Sequence, residues 1–152
     1  MILMSACLAG VNCKYNGESN LHPALKDLAE QGDVLLVCPE ELGGLEVPRS
    51  PSEIMQGTGE DVLCGTAAVI NREGKDITSN FVKGAQTALD LAKDQKIDLA
   101  ILRRRSPSCG CGFIYDGTFT STLRSGDGVF VALLKRNGIN VLSDEDYLRE
   151  LK

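Results

Sequence analysis

Histidine is almost missing from this chain: His22 is the single one in 152 residues. Proton transfer must therefore fall to carboxylates, hydroxyls or thiols. Basic residues are the minority, 16 against 21 acidic, for a net charge of -5. That balance argues against a groove for nucleic acid. Met1-Ile-Leu-Met4 reads as a strand, with no basic flank and no long apolar run, so neither a signal peptide nor a membrane span is expected. Internal repeats, linkers and low-complexity tracts are absent. Six cysteines are too few for a disulfide scaffold. A cytoplasmic location is expected, where thiols stay reduced and several cysteines more often mean metal binding or redox work than crosslinks.

What remains is a globular composition, 43% hydrophobic and 24% charged, long enough for one full core. Strands are expected at residues 2–6, 33–37, 98–102 and 139–142, and a weaker one, containing Cys64, at 62–70. Helices are expected from Pro23 to about Gln31, from Thr78 or Ser79 to Asp94, across Val129–Arg136, and from a Ser143 cap to Leu151. Residues 50–61 read as irregular, and Phe113 to Phe119 as a small hairpin or extended loop. This alternation predicts a single α/β, Rossmann-like domain over residues 1–152, with a mostly parallel sheet and helices on both faces.

The densest chemistry lies in Arg103-Arg-Arg-Ser-Pro-Ser-Cys-Gly-Cys-Gly112, directly after the strand at 98–102. In an open α/β sheet, ligands bind beyond the carboxyl ends of the strands. Cys7 follows the first strand, Cys38 the second, and Cys109 lies seven residues after Leu102. Parallel strands would bring these three thiols to one edge. A single buried cysteine is ordinary packing; three at equivalent ends point to a site. Three thiolates with one position open suit catalytic zinc or a [4Fe-4S] cluster, and all-sulfur ligation favours the cluster. Its dicationic core with three thiolates carries a charge of about -1, which Arg103, Arg104 or Arg105 could offset.

Around the thiols, Glu40 is the candidate for proton transfer, and Ser106 and Ser108 offer hydroxyls beside Cys109. Gly43-Gly44 allows a close approach or a positive φ. Arg49 is a candidate for the cleft rim. Cys13 reads as packing or a spare thiol near the site, Cys64 as packing, and Cys111 as packing or a rival of Cys109. Gly126-Asp-Gly128 reads as a helix start, and His22 as a helix-entry surface residue.

Several motifs in order resemble one family. They are Ser5-Ala-Cys-Leu-Ala-Gly10 with Tyr15-Asn-Gly17, Cys38-Pro-Glu40 with Gly43-Gly-Leu45 and Pro48-Arg49, and Ser106-Pro-Ser-Cys-Gly110. Asp116-Gly-Thr-Phe119, Gly126-Asp-Gly-Val129 and Gly138-Ile-Asn-Val141 follow. The chain resembles the thiouracil desulfurase family over nearly its whole length. The resemblance implies a [4Fe-4S] cluster held by Cys7, Cys38 and Cys109, with one iron open to the sulfur of a small thiolated pyrimidine. It implies non-redox desulfuration of 2-thiouracil: the cluster takes up sulfide, water adds to the carbon, and uracil is released. It further implies roles for Glu40 and for Ser106 or Ser108, with Ser106 favoured as the one farther along the chain from the ligand. Asn16 stands where the family commonly has aspartate. The competing readings are a non-catalytic metal- or cluster-binding carrier or sensor, and a dithiol redox protein using Cys109 and Cys111, whose spacing is wrong for a thioredoxin-like motif.

Overall fold

The computed structural model describes residues 1–151. Four strands, β1 (Ile2–Ser5), β2 (Val34–Val37), β5 (Leu99–Leu102) and β8 (Asn140–Ser143), form one sheet in the order β2-β1-β5-β8. Every pairing in it is parallel. Two antiparallel strand pairs lie apart from this sheet: β3 (Ser52–Met55) with β4 (Ala68–Asn71), and β6 (Phe113–Tyr115) with β7 (Leu123–Ser125).

Strand periodicity sends alternate side chains to opposite faces. Leu3, Ala100 and Leu102 join the larger core, which includes Phe81, Ala85 and Leu89 of α4 (Thr78–Asp94) and Phe130 and Leu134 of α5 (Val129–Arg136). Met4 and Ile101 face the other way. There they meet Leu25 of α1 (Pro23–Glu30) and Tyr147 and Leu148 of α6 (Asp144–Glu150). Helices thus cover both faces, as expected for a buried parallel sheet. Among the described residues no helix is long and apolar enough to cross a membrane.

The helix starts follow local chemistry. His22 accepts the Ala24 N–H through Nδ1 at 3.2 Å and caps α1 ahead of Pro23. Ser143 accepts the Asp146 N–H at 3.1 Å at the start of α6. At α4 the cap comes from Asp76, whose Oδ1 accepts the Thr78 N–H at 2.9 Å. The Thr78 hydroxyl instead accepts the Val69 N–H at 2.9 Å.

The strand expected at 62–70 is a correction. Its first part is helix α3 (Gly59–Leu63), and only Ala68–Asn71 is strand. Thr58 and Asp61 form a capping box, Asp61 accepting the Thr58 N–H at 2.9 Å, and that box starts a helix where the apolar run suggested a strand. Cys64 ends the helix and is exposed, so it is not packed in a strand. Residues 50–61 are not wholly irregular either, because β3 lies within them.

Glycine brings α2 (Pro39–Leu42) against α4. A Cβ at Gly84 would overlap the Pro39 carbonyl oxygen, and one at Gly43 would overlap the Asn80 carbonyl. Asn80 Nδ2 donates to the Gly43 carbonyl at 2.8 Å, and Gly44 turns away at φ 89°. The adjacent glycines therefore divide the work: Gly43 allows contact and Gly44 the turn. Gly84→Ala should cost about 3 kcal/mol, at the upper end of overpacking penalties. A domain of this size should then melt about 6–12 °C lower. An unchanged thermal midpoint would show that the contact is loose.

Candidate active site

Register brings three strand ends level. Ser5 lies opposite Val37, and Met4 lies opposite both Leu36 and Ile101. The chain leaves these ends as a 3-10 turn carrying Cys7, as Cys38 at the N-cap of α2, and as the loop to Cys109. Among parallel strands alone the order is 2-1-3-4, so direction switches between β1 and β5, where such sheets bind ligands. A cleft of about 340 Å³ opens there. Cys7, Cys38, Cys109, Glu40, Ser106 and Ser108 all line it.

Cys13 lines the same cleft. It is buried beside Cys7 and Cys38, and the Cys38 Sγ lies 3.9 Å from the Cys13 carbonyl. The Cys13 thiol draws Cys7 down to about 7; Asn20, donating to Cys7 Sγ at 3.4 Å, and Arg103 act the same way. Cys38 is also lowered, first by Cys13 and then by the Glu41 backbone N–H. Cys13 itself is pushed up, as the proton donor between two thiols. Cys109 is pushed up to about 12 by burial.

Glu40 sits in the first turn of α2, where Pro39 at the first position fixes the helix start. Its Oε1 accepts from Arg49 Nε at 3.2 Å, and Arg49 Nη2 is also 3.2 Å away. Its Oε2 accepts the Ser108 hydroxyl at 2.9 Å. Arg49 Nη2 donates to the Cys13 carbonyl at 3.0 Å, so one guanidinium ties Glu40 to the loop carrying Cys13. The Ser106 oxygen accepts the N–H groups of Cys109 at 2.7 Å and Ser108 at 3.2 Å. The two serine oxygens lie 3.1 Å apart.

Helix α5 braces this loop. The N–H groups of Val129 and Phe130 donate to the carbonyls of Pro107 at 2.8 Å and Ser108 at 3.0 Å. A Cβ at Gly128 would lie 2.6 Å from the Ser108 carbonyl, so Gly126-Asp-Gly128 is a helix start pressed against the site loop. Cys111 packs elsewhere, with its Sγ 3.9 Å from the Val141 carbonyl. It does not line the cleft, and Cys64 does not either.

The arginine run divides. Asp144, 6% exposed, accepts the Arg104 N–H at 2.9 Å and lies 3.8 Å from the guanidinium groups of both Arg103 and Arg104. Arg103 Nη1 is buried without a hydrogen-bond partner, yet this cation still lowers Cys7. Basic side chains dominate the lining: Lys14, Arg49, Arg72 and Arg103 to Arg105, against Glu40 and Glu53.

Comparison with known proteins agrees with the motifs. The family model for 2-thiouracil desulfurase matches residues 2–146. The chain belongs to that family. Another similar chain is the uncharacterized protein YbbK of Bacillus subtilis (strain 168), 44% identical over 146 residues, 96% of this chain and 97% of that one. Among solved structures, the [4Fe-4S]-dependent thiouracil desulfidase TudS superposes with a TM-score of 0.83 at 40% identity, over 95% of this chain and 90% of its own.

The donor set suits the group that the family implies. Soft thiols select zinc, copper(I) or iron–sulfur centres. Thiols on three separate elements line the cleft, the all-sulfur kind of donor set that iron–sulfur centres use; among the described residues no three metal-ligating side chains form a compact site for a single ion. Arg103 Nη1, without a hydrogen bond and only 3.8 Å from Asp144, and the amide of Asn20 supply a cation and a donor of the kind thiolates need.

The lowered thiol gives a test in metal-free protein. Cys7 should alkylate as thiolate from about pH 7 upward, while Cys109 stays protonated and unreactive until far more alkaline pH. Cys13→Ala should raise the Cys7 midpoint. Mass-spectrometric alkylation rates against pH would check this, and an ordinary Cys7 midpoint unaffected by Cys13→Ala would contradict it.

Proposed function

We propose that the protein removes sulfur from a small thiolated pyrimidine, converting 2-thiouracil and water into uracil and hydrogen sulfide with no net redox change. Family membership and the likeness to an iron–sulfur desulfidase support the reaction class. Cys7, Cys38 and Cys109 would hold a [4Fe-4S] cluster. When bound, it would supply an iron with affinity for the departing sulfur.

The observation that carries the reading is the Glu40 carboxylate, fixed on Arg49 and hydrogen-bonded to Ser108 beside Cys109, at the wall of the cleft. Hydrolytic loss of sulfur needs a group to take a proton from the attacking water. Arg49 occupies Oε1 of Glu40, so Oε2 is the oxygen that receives this proton. Ser106 accepts two backbone N–H bonds and so keeps its own hydroxyl proton for donation. That proton can go to Ser108 or to the carbonyl oxygen or a ring nitrogen of the bound base. Ser106 is thus the polarising group and Ser108 the link to Glu40.

Glu40→Gln keeps the size and hydrogen bonding of the side chain but cannot take the proton. It should lower kcat at least about 100-fold, within the usual worth of general base catalysis. The visible spectrum of the loaded protein should not change. Sulfide release and uracil formation, measured anaerobically without reductant, provide the assay. Wild-type turnover in the glutamine variant would remove Glu40 from the chemistry, and a lost spectrum would give it a structural role instead.

A further inference from the structure

Glu53 and the Asp116-Gly-Thr-Phe119 motif have no part in the chemistry above, yet the structure joins them at the cleft. Glu53 is 8% exposed, and its Oε1 accepts the N–H groups of Gly117 at 2.9 Å and Phe119 at 3.2 Å. A Cβ at Gly117 would lie 2.7 Å from the Ile54 carbonyl, so the loop between β6 and β7 runs hard against β3. Phe119 has φ 56° and Ser121 φ 58°. Bulky side chains avoid this left-handed region, and such conformations persist only where surrounding contacts impose them, often at ligand sites. The Glu53 carboxylate is one such contact. Its result is the placing of Phe119 in the lining, with the Arg72 guanidinium 5.8 Å over the ring. The same cleft holds the three thiols and Glu40.

We propose that Phe119 is the stacking surface for the substrate ring, and that Glu53 is a positioning residue acting through it. This deepens the thiolated-pyrimidine reading and rests on it. Planar bases stack on aromatic side chains whatever their substituents, so Phe119 would select the ring while Glu40 serves the attack of water on its sulfur-bearing carbon. Stacking holds substrate and transition state alike, so its loss acts on KM and spares kcat.

The test uses anaerobic cluster-loaded protein with two readouts, steady-state kinetics on 2-thiouracil and calorimetric binding of uracil. Phe119→Ala should raise KM and weaken uracil binding by about tenfold, within the range that base stacking on an aromatic ring gives. Its kcat should stay within about threefold. Phe119→Tyr should match wild type. Phe119→Leu, which keeps bulk without a π face, should raise KM at least about threefold. Glu53→Gln keeps an acceptor oxygen for the two N–H groups and should stay close to wild type. Glu53→Ala should follow Phe119→Ala, and the double variant should be no worse than either alone. A wild-type KM in Phe119→Ala or Phe119→Leu overturns the proposal. If wild-type protein binds uracil through Phe119 but releases no sulfide, the desulfurase reading fails and the ring site stands. If wild-type protein neither turns over nor binds uracil, both fall.

Discussion

The parallel register of β1 between β2 and β5 is the constraint on which the site depends. Cys7 and Cys38 lie just beyond the carboxyl ends of β1 and β2, and Cys109 lies on the loop after β5; no two of the three thiols are close in sequence. Slipping one strand by a residue would move its thiol by about 3.3 Å and exchange the two faces of that strand. The two cores forbid that slip: Leu3 and Met4 are both fully buried, on opposite faces. At the top of the sheet, Ser5 Oγ accepts the Arg103 N–H at 2.9 Å and ties the first strand end to the loop carrying Cys109. Core packing sets the strand ends, and the Ser106 hydrogen bonds and the start of α5 set Cys109 on its loop.

The second layer is polar. Arg49 reaches from Glu40 to the Cys13 carbonyl, and Ser108 reaches from Glu40 to the neighbourhood of Cys109. The Arg49 and Glu40 side chains are 10% and 16% exposed. Removing one member of such a shielded pair costs about 3–5 kcal/mol because the other is left without its partner. Glu40, the proposed proton-transfer group, is therefore held by the same contacts that join the cysteine loops. Lost precision at one would be felt at the others.

Much of this was legible in the chain. Apolar runs of strand length, each ending in Cys or a Ser-Pro-Ser-Cys loop, imply where Cys7, Cys38 and Cys109 go once the sheet is parallel. Glu40 follows from its place two residues after Cys38. Other parts depend on long-range folding that no local pattern carries. Cys13 reads as a spare thiol, and its place between Cys7 and Cys38 comes from the loop after β1 folding back onto the start of α2. Asn20 had no signal at all. The order of the two serines also needed geometry, because chain distance from Cys109 does not say which hydroxyl faces Glu40. The misread segment at 62–70 carries a capping box ahead of an apolar run, and the box decides. Glu53 escaped notice because a carboxylate beside Pro51 looks like a solvated loop residue, although here it binds backbone N–H groups in a buried strand.

In the proposed site, thiols from three strand ends share one iron–sulfur cluster. The most direct measurement is iron and acid-labile sulfide per chain, with the visible spectrum, on anaerobically reconstituted protein and six single Cys→Ser variants. Wild type should hold about four irons and about four sulfides, as the [4Fe-4S] formula requires. Changes at Cys7, Cys38 or Cys109 should lower that content sharply, while Cys64→Ser and Cys111→Ser should match wild type and Cys13→Ser should still load. A zinc-loaded, colourless wild type, or full iron in the Cys109→Ser variant with loss in Cys111→Ser, would contradict the account.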